Sequence, residues 1–158
     1  MSDTISNATR LGRDEVLALS GLQFMQGILD GTVPPPPIAG VLNYRVSRVA
    51  DGRVVFDGTP LAQHCNPLGT VHGGWYGTLL DSAMSCAVHT KVPAGSIYTT
   101  LEYKVNVTRA IPVGMAVTVE GVVQHAGRTT GVATGAIRGV DDGRIYATGS
   151  ATCLIMTG

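Results

Sequence analysis

His72-Gly73-Gly74 followed eight residues later by Asp81 is the spacing in this chain most able to do chemistry. Asp81 lies in an apolar stretch, and no other residue between His72 and Lys91 is formally charged at neutral pH. A carboxylate in such a segment is costly to bury unless something pairs with it or uses it. The glycines precede an apolar run that reads as a helix to about His89, so Gly73 and Gly74 would offer free backbone N–H groups at its positive dipole end. Such donors can hold a carbonyl oxygen as it becomes negative. The plainer alternatives are a Gly-Gly turn into a helix and a solvated Asp.

Helix geometry limits how these groups combine. Trp75, Leu79, Leu80, Ala83 and Ala87 share one arc suited to packing on a sheet, while Asp81 falls among Gly77, Thr78, Met84 and Ser85. Eight residues along a helix span roughly 12 Å. A reacting carbonyl must lie near ~3 Å from both its attacking group and its oxyanion donors. One helix therefore does not serve one carbonyl with both. If both features are catalytic, Asp81 of one subunit faces the Gly73 end of another.

The elements that must hold these groups can be read along the chain. Asp14 to Leu29 has helical apolar spacing with Gly31 as its stop, and Pro34 to Pro37 form a stiff extended spacer. Val41 to Val49 and Arg53 to Thr59 read as strands joined at Asp51-Gly52. After the central helix come four β-like segments, Ile97 to Thr108, Met115 to His125, Thr129 to Arg138 and Ile145 to Met156. This order predicts an α+β fold, one antiparallel sheet around a central helix. Residues 1–37 read as an N-terminal helix and connector, and residues 38–158 as the main domain.

Composition removes several functions. The 158 residues suit one domain, and eleven basic residues balance eleven acidic ones, which gives no field for nucleic acid or an anionic membrane. The sequence contains no membrane-spanning apolar stretch, and the polar start, Met1 to Arg13, lacks a signal-peptide pattern. Cys65, Cys86 and Cys153 are odd in number and widely spaced, as unpaired thiols in a reducing cytoplasm would be. Only 14% of residues are charged, which predicts extra buried surface at a subunit interface. His64, His72, His89 and His125 make no metal-binding pattern, and the neighbours His64 and Cys65 make a poor nucleophile pair.

Asn66, then His72-Gly73-Gly74, then Leu80-Asp81-x-Ala83 resembles the hotdog-fold acyl-CoA thioesterases, in particular their PaaI-like branch, over residues 40 to 156. The resemblance implies a six-stranded antiparallel sheet around the central helix, in dimers and commonly dimers of dimers. It implies hydrolysis of acyl-CoA with no metal or organic cofactor. By position, Asp81 would be the general base or the nucleophile, and the Gly73 N–H would polarise the thioester carbonyl. His72 would bond near that carbonyl or orient Asn66, and Asn66 would position thioester or water. Thr100 would stand near the attacking water, unless it is simply a β-branched strand residue. Gly74, Ser85 and Arg128 would touch substrate, Arg128 through the CoA phosphates. Ser85 stands where the branch often has Gly, and Ala110 follows Arg109 where Pro is common. A hotdog hydratase or dehydratase and a non-catalytic acyl-CoA binder are the alternatives. The hydratase signatures are absent, and too few residues precede Pro34 for a DNA-binding module. Trp75, Tyr76 and Met84 would border an acyl pocket or fill the core, and the N-terminal helix would cap that pocket for longer acyl groups.

Overall fold

The protein, seen in a computed structural model, is described over residues 11–158; the polar opening segment, residues 1–10, lies outside the described residues. Two short helices come first, α1 (Arg13–Ala18) and α2 (Gly21–Asp30). The single helix predicted over this stretch is broken at Ser20. There the Ser20 hydroxyl accepts from the Gln23 N–H at 3.3 Å, and the Gln23 side chain accepts from the Ser20 N–H at 2.9 Å. That reciprocal cap starts a new helix. α2 stops at Gly31, whose φ of 84° is left-handed.

Only Pro34 to Pro36 remain extended. Pro37 opens α3 (Pro37–Val41), because proline at a first helical position loses no needed N–H. The strand predicted from Val41 consequently starts later, as β1 (Tyr44–Ala50). β2 (Arg53–Gly58), a 3-10 turn (Ala62–His64) and α4 (Gly73–His89) follow. The chain ends in β3 (Ser96–Val107), β4 (Val117–Ala126), β5 (Thr130–Gly139) and β6 (Ile145–Thr157). All six strands form one sheet in the order β1-β2-β4-β5-β6-β3, antiparallel throughout.

α4 lies across this sheet and supplies the core. Trp75, Leu79, Leu80, Ala83, Ala87 and Val88 are essentially inaccessible, and each large apolar side chain so buried contributes about 1.5–3 kcal/mol. The helix presses onto the strands at Gly121, where an added Cβ would lie 2.1 Å from the Ala83 carbonyl oxygen. α2 packs beside β1 and the end of α4. Among the described residues no helix is long and apolar enough to cross a membrane. The two sheet edges differ: β1 is accompanied by α2, whereas among the described residues β3 pairs only with β6 and its other edge is open. Leu101, Tyr103 and Val107 on that open strand are about half exposed.

Candidate active site

Asp81 projects from the middle of α4 and is half-buried. Thr100 Oγ1 on β3 donates to its Oδ1 at 3.0 Å, and among the described residues its Oδ2 accepts nothing. Burial pushes the Asp81 carboxyl above the ordinary carboxylate range, and the Thr100 bond opposes part of that shift. A carboxylate destabilised in this way, with one oxygen held and one free, is suited to taking a proton.

The start of α4 is arranged differently. His72 is the N-cap residue, and its Nδ1 accepts the Gly74 N–H at 2.8 Å. The Gly74 donor expected to face a ligand is therefore already used within the chain. With Nδ1 accepting this bond, Nε2 is the ring nitrogen left to donate. Gly73 keeps its N–H: it bonds to nothing among the described residues, and an added Cβ there would meet nothing within 4 Å. No packing contact requires glycine at this exposed position. A groove of about 600 Å³ opens beside it, lined by His72, Gly74, Thr78, His64, Cys65 and Val41. Asp81 is not on that groove, so within one protomer the carboxylate and the Gly73 N–H lie apart.

Asn66 organises the loop before the helix. Its Oδ1 accepts from the N–H groups of Leu68 and Thr70 at 3.0 and 3.2 Å, and its amide donates to Thr70 Oγ1 at 2.8 Å. No hydrogen bond joins it to His72, whose N–H instead donates to the His64 carbonyl at 2.9 Å. Ser85 is buried beside Cys86 and Tyr98 rather than bonded to the carboxylate. Arg128 is exposed in the β4–β5 turn, near the C-terminal end of α4, where Gly131 packs under Val88. It is thus at the opposite end of α4 from Gly73, and the helix between Gly73 and Val88 spans roughly 22 Å.

Other reactive types are held in structural roles. His64 Nδ1 accepts from the Leu61 N–H at 3.0 Å and Nε2 faces the Val41 carbonyl at 2.8 Å, so both ring nitrogens are satisfied. Burial pushes the Cys86 thiol up to about 12, far from a reactive thiolate. Trp75, Tyr76 and Met84 are core residues: Trp75 Nε1 donates to the Leu42 carbonyl at 2.9 Å, and the Tyr76 hydroxyl accepts the Ile111 N–H at 2.8 Å.

Sequence reading missed Tyr103. Its ring covers Gly77, where an added Cβ would lie 3.4 Å from both Cε2 and Oη. Thr100 and Tyr103 are three residues apart yet face the same helix, which strict alternation forbids. A bulge at Leu101 reverses the phase: Thr100 opposes Cys153 and Tyr103 opposes Ala151, both inward-facing. The trace left in the sequence is the apolar alternation Leu101, Tyr103, Val105, Val107, out of step with Thr100.

The sheet wrapped on α4 is the hotdog architecture, and residues 68–146 match the thioesterase superfamily. The chain belongs to that family of thioester hydrolases. Its fold is similar to a thioesterase family protein from Silicibacter pomeroyi, at 26% identity and a TM-score of 0.76, over 85% of this chain and 99% of the other. It is also similar to a point mutant of the phenylacetic acid degradation protein PaaI from Thermus thermophilus, at 26% identity and 0.69, over 75% and 98%. A hypothetical thioesterase protein with coenzyme A, from Streptococcus pneumoniae, aligns at 28% identity and 0.66, over 73% and 87%. None of the curated proteins matches the chain.

Proposed function

We propose that the protein hydrolyses an acyl-CoA thioester to the free acid and CoA in a site completed by a second copy of the chain. The observation that carries this reading is the separation of a free, proton-accepting carboxylate from an unused N–H on the same helix. Two antiparallel α4 helices would bring Asp81 of one protomer opposite the partner's Gly73. The open edge of β3, with exposed apolar side chains, is the surface a second copy would cover, since a long bare edge strand seeks a partner. The CoA in the pneumococcal relative favours CoA as the carrier here.

In this site the thioester carbonyl oxygen points at the partner's Gly73 N–H, with the His72 Nε2–H as a second donor. Asp81 takes a proton from water as its oxygen bonds to the carbonyl carbon. The tetrahedral oxyanion then collapses, the C–S bond breaks, and the proton returns from Asp81 to the departing CoA sulfur. Attack by Asp81 itself, forming a mixed anhydride that water then cleaves, uses the same geometry. Thr100 fixes Oδ1 and leaves Oδ2 for the reacting group. Asn66 acts through the shape of the loop before His72, and Ser85 forms part of the wall behind Asp81. Arg128 is the rim charge offered to CoA phosphates, so Arg128→Ala should raise KM for an acyl-CoA but not for a thioester of pantetheine alone.

The deciding experiment is thiol release from aryl, short, medium and long acyl-CoAs by wild type and Asp81→Asn. Loss of the carboxylate should cost about 10²–10⁴-fold in kcat. Turnover within a few-fold of wild type would reject the mechanism.

A further inference from the structure

The shared site has a symmetry consequence for Tyr103, and this inference rests on that reading. Where Asp81 faces the partner's Gly73 and the partner's Asp81 faces Gly73, a two-fold axis relates the helices. Residues 73 and 81 then exchange places across the axis, and their midpoint is residue 77. Gly77 is the position whose outer surface is occupied by the Tyr103 ring. Tyr103 faces inward from β3 yet remains 47% exposed, because β3 is the last strand of the sheet and no described residue pairs beyond it.

We infer that the two Tyr103 rings meet at this axis and form the wall between the paired acyl sites, restricting each to compact acyl groups. The dimensions agree. Asp81 is four residues from Gly77, about 6 Å along the helix, which leaves each reaction centre roughly a ring's length from the axis. The ring lies directly over Gly77, where even a Cβ would be in van der Waals contact with both Cε2 and Oη. On the other side of Asp81 the space is also closed. Ser85 is buried, and the rings of Tyr98, His89 and Phe24 are packed in series, at centroid separations of 4.6 and 5.1 Å. An acyl chain entering beside Asp81 meets aromatic walls in both directions, which favours a short aliphatic or single-ring acyl group over a long chain.

Two experiments test the placement and the consequence. Tyr103→Cys should yield a covalent dimer with a short bis-maleimide cross-linker, because the two thiols would face each other across the axis with only the space of the two lost rings between them. Val107→Cys should not, being four residues off the axis on the same strand, and wild type with its three native thiols is the background control. In parallel, kcat/KM is measured for butyryl-, benzoyl- and lauroyl-CoA. Tyr103→Ala should raise the lauroyl-to-butyryl ratio by about tenfold or more, on the scale by which pockets discriminate chain length, while Tyr103→Phe keeps the wild-type ratio. If the alanine variant no longer dimerises, Tyr103→Leu carries the same comparison. Cross-linking at Val107 instead of Tyr103, or an unchanged ratio in a dimeric variant, would overturn the inference. Such a result with activity still dependent on Asp81 would remove only the Tyr103 wall, whereas an active Asp81→Asn protein would remove the site itself.

Discussion

The two ends of α4 are finished in opposite ways. At the C-terminal end the last four backbone carbonyls, Cys86 to His89, are all engaged. The Thr90 hydroxyl donates to the Ala87 carbonyl at 2.6 Å and accepts the Gly52 N–H at 2.7 Å. The Gly21 N–H reaches the Val92 carbonyl at 2.9 Å, and His89 is packed between Phe24 and Tyr98. At the N-terminal end one donor is capped by His72, while the next, on Gly73, is exposed and unused. Fold stability accounts for the first end completely. It gives no reason for the glycine at the second, where an added Cβ would meet nothing within 4 Å. A glycine that the fold does not require is best explained by what must approach it from outside.

The largest effect that separates the two ends should come from Gly73→Pro. Proline is well tolerated at a first helical position, and His72 already has the extended backbone (ψ 138°) that a following proline favours. The substitution removes one N–H and little else. Activity should fall by about 10²–10³-fold, as for loss of an oxyanion donor, with the melting temperature nearly unchanged. Equal losses of stability and activity would mean that Gly73 serves the fold.

Gly21→Ala should do the reverse. Its Cβ would lie 1.7 Å from the His89 carbonyl oxygen, so α2 must shift, at a cost of about 1–3 kcal/mol. Thermal unfolding should move down while kcat of the folded protein stays close to wild type. A selective loss of kcat would place the sealed end in the chemistry.

Thr100→Val tests the middle of the helix. In the proposed mechanism Asp81 acts in its ionised form, so kcat/KM should decline as pH falls through its raised pKa. Removing a bond that favours the ionised form raises that pKa further, and the acid limb should move to higher pH. No movement would disconnect the hydroxyl from the reacting carboxylate.

At neutral pH the smallest effect is expected from His89→Phe. Burial depresses the His89 pKa to about 4, so the unfolded chain binds this proton at higher pH than the folded one. Wild type should lose stability as pH falls from about 6.5 towards 4, by at most about 1.4 kcal/mol per pH unit from this group. The Phe variant should show a flatter profile in urea titrations across the same window.

The sheet, the central helix and its acid are legible in the sequence because they rest on local signals. Period-two apolar runs, Asp51-Gly52 and the lone charge between His72 and Lys91 survive in any context. The N-terminal helix reads as continuous because its apolar spacing runs through Ser20, and only the reciprocal bond with Gln23 breaks it. Gly73 and Gly74 look equivalent in sequence, and a single His72 hydrogen bond makes them unlike. Tyr103 is hidden by the bulge at Leu101, an irregularity fixed by pairing with β6 rather than by any residue within β3. Asn66 looks like a substrate contact because its partners, Leu68 and Thr70, are a local turn that side-chain type alone does not distinguish from a site.

The most direct measurement mixes two inactive proteins. Asp81→Asn lacks the acid and Gly73→Pro lacks the donor, so in a random hybrid dimer one site carries both defects and the other neither. After subunit exchange of equal amounts, confirmed by differential mass tagging, activity should recover to about one quarter of wild type. Exchanged dimers that remain as inactive as either parent would contradict a site built from two protomers.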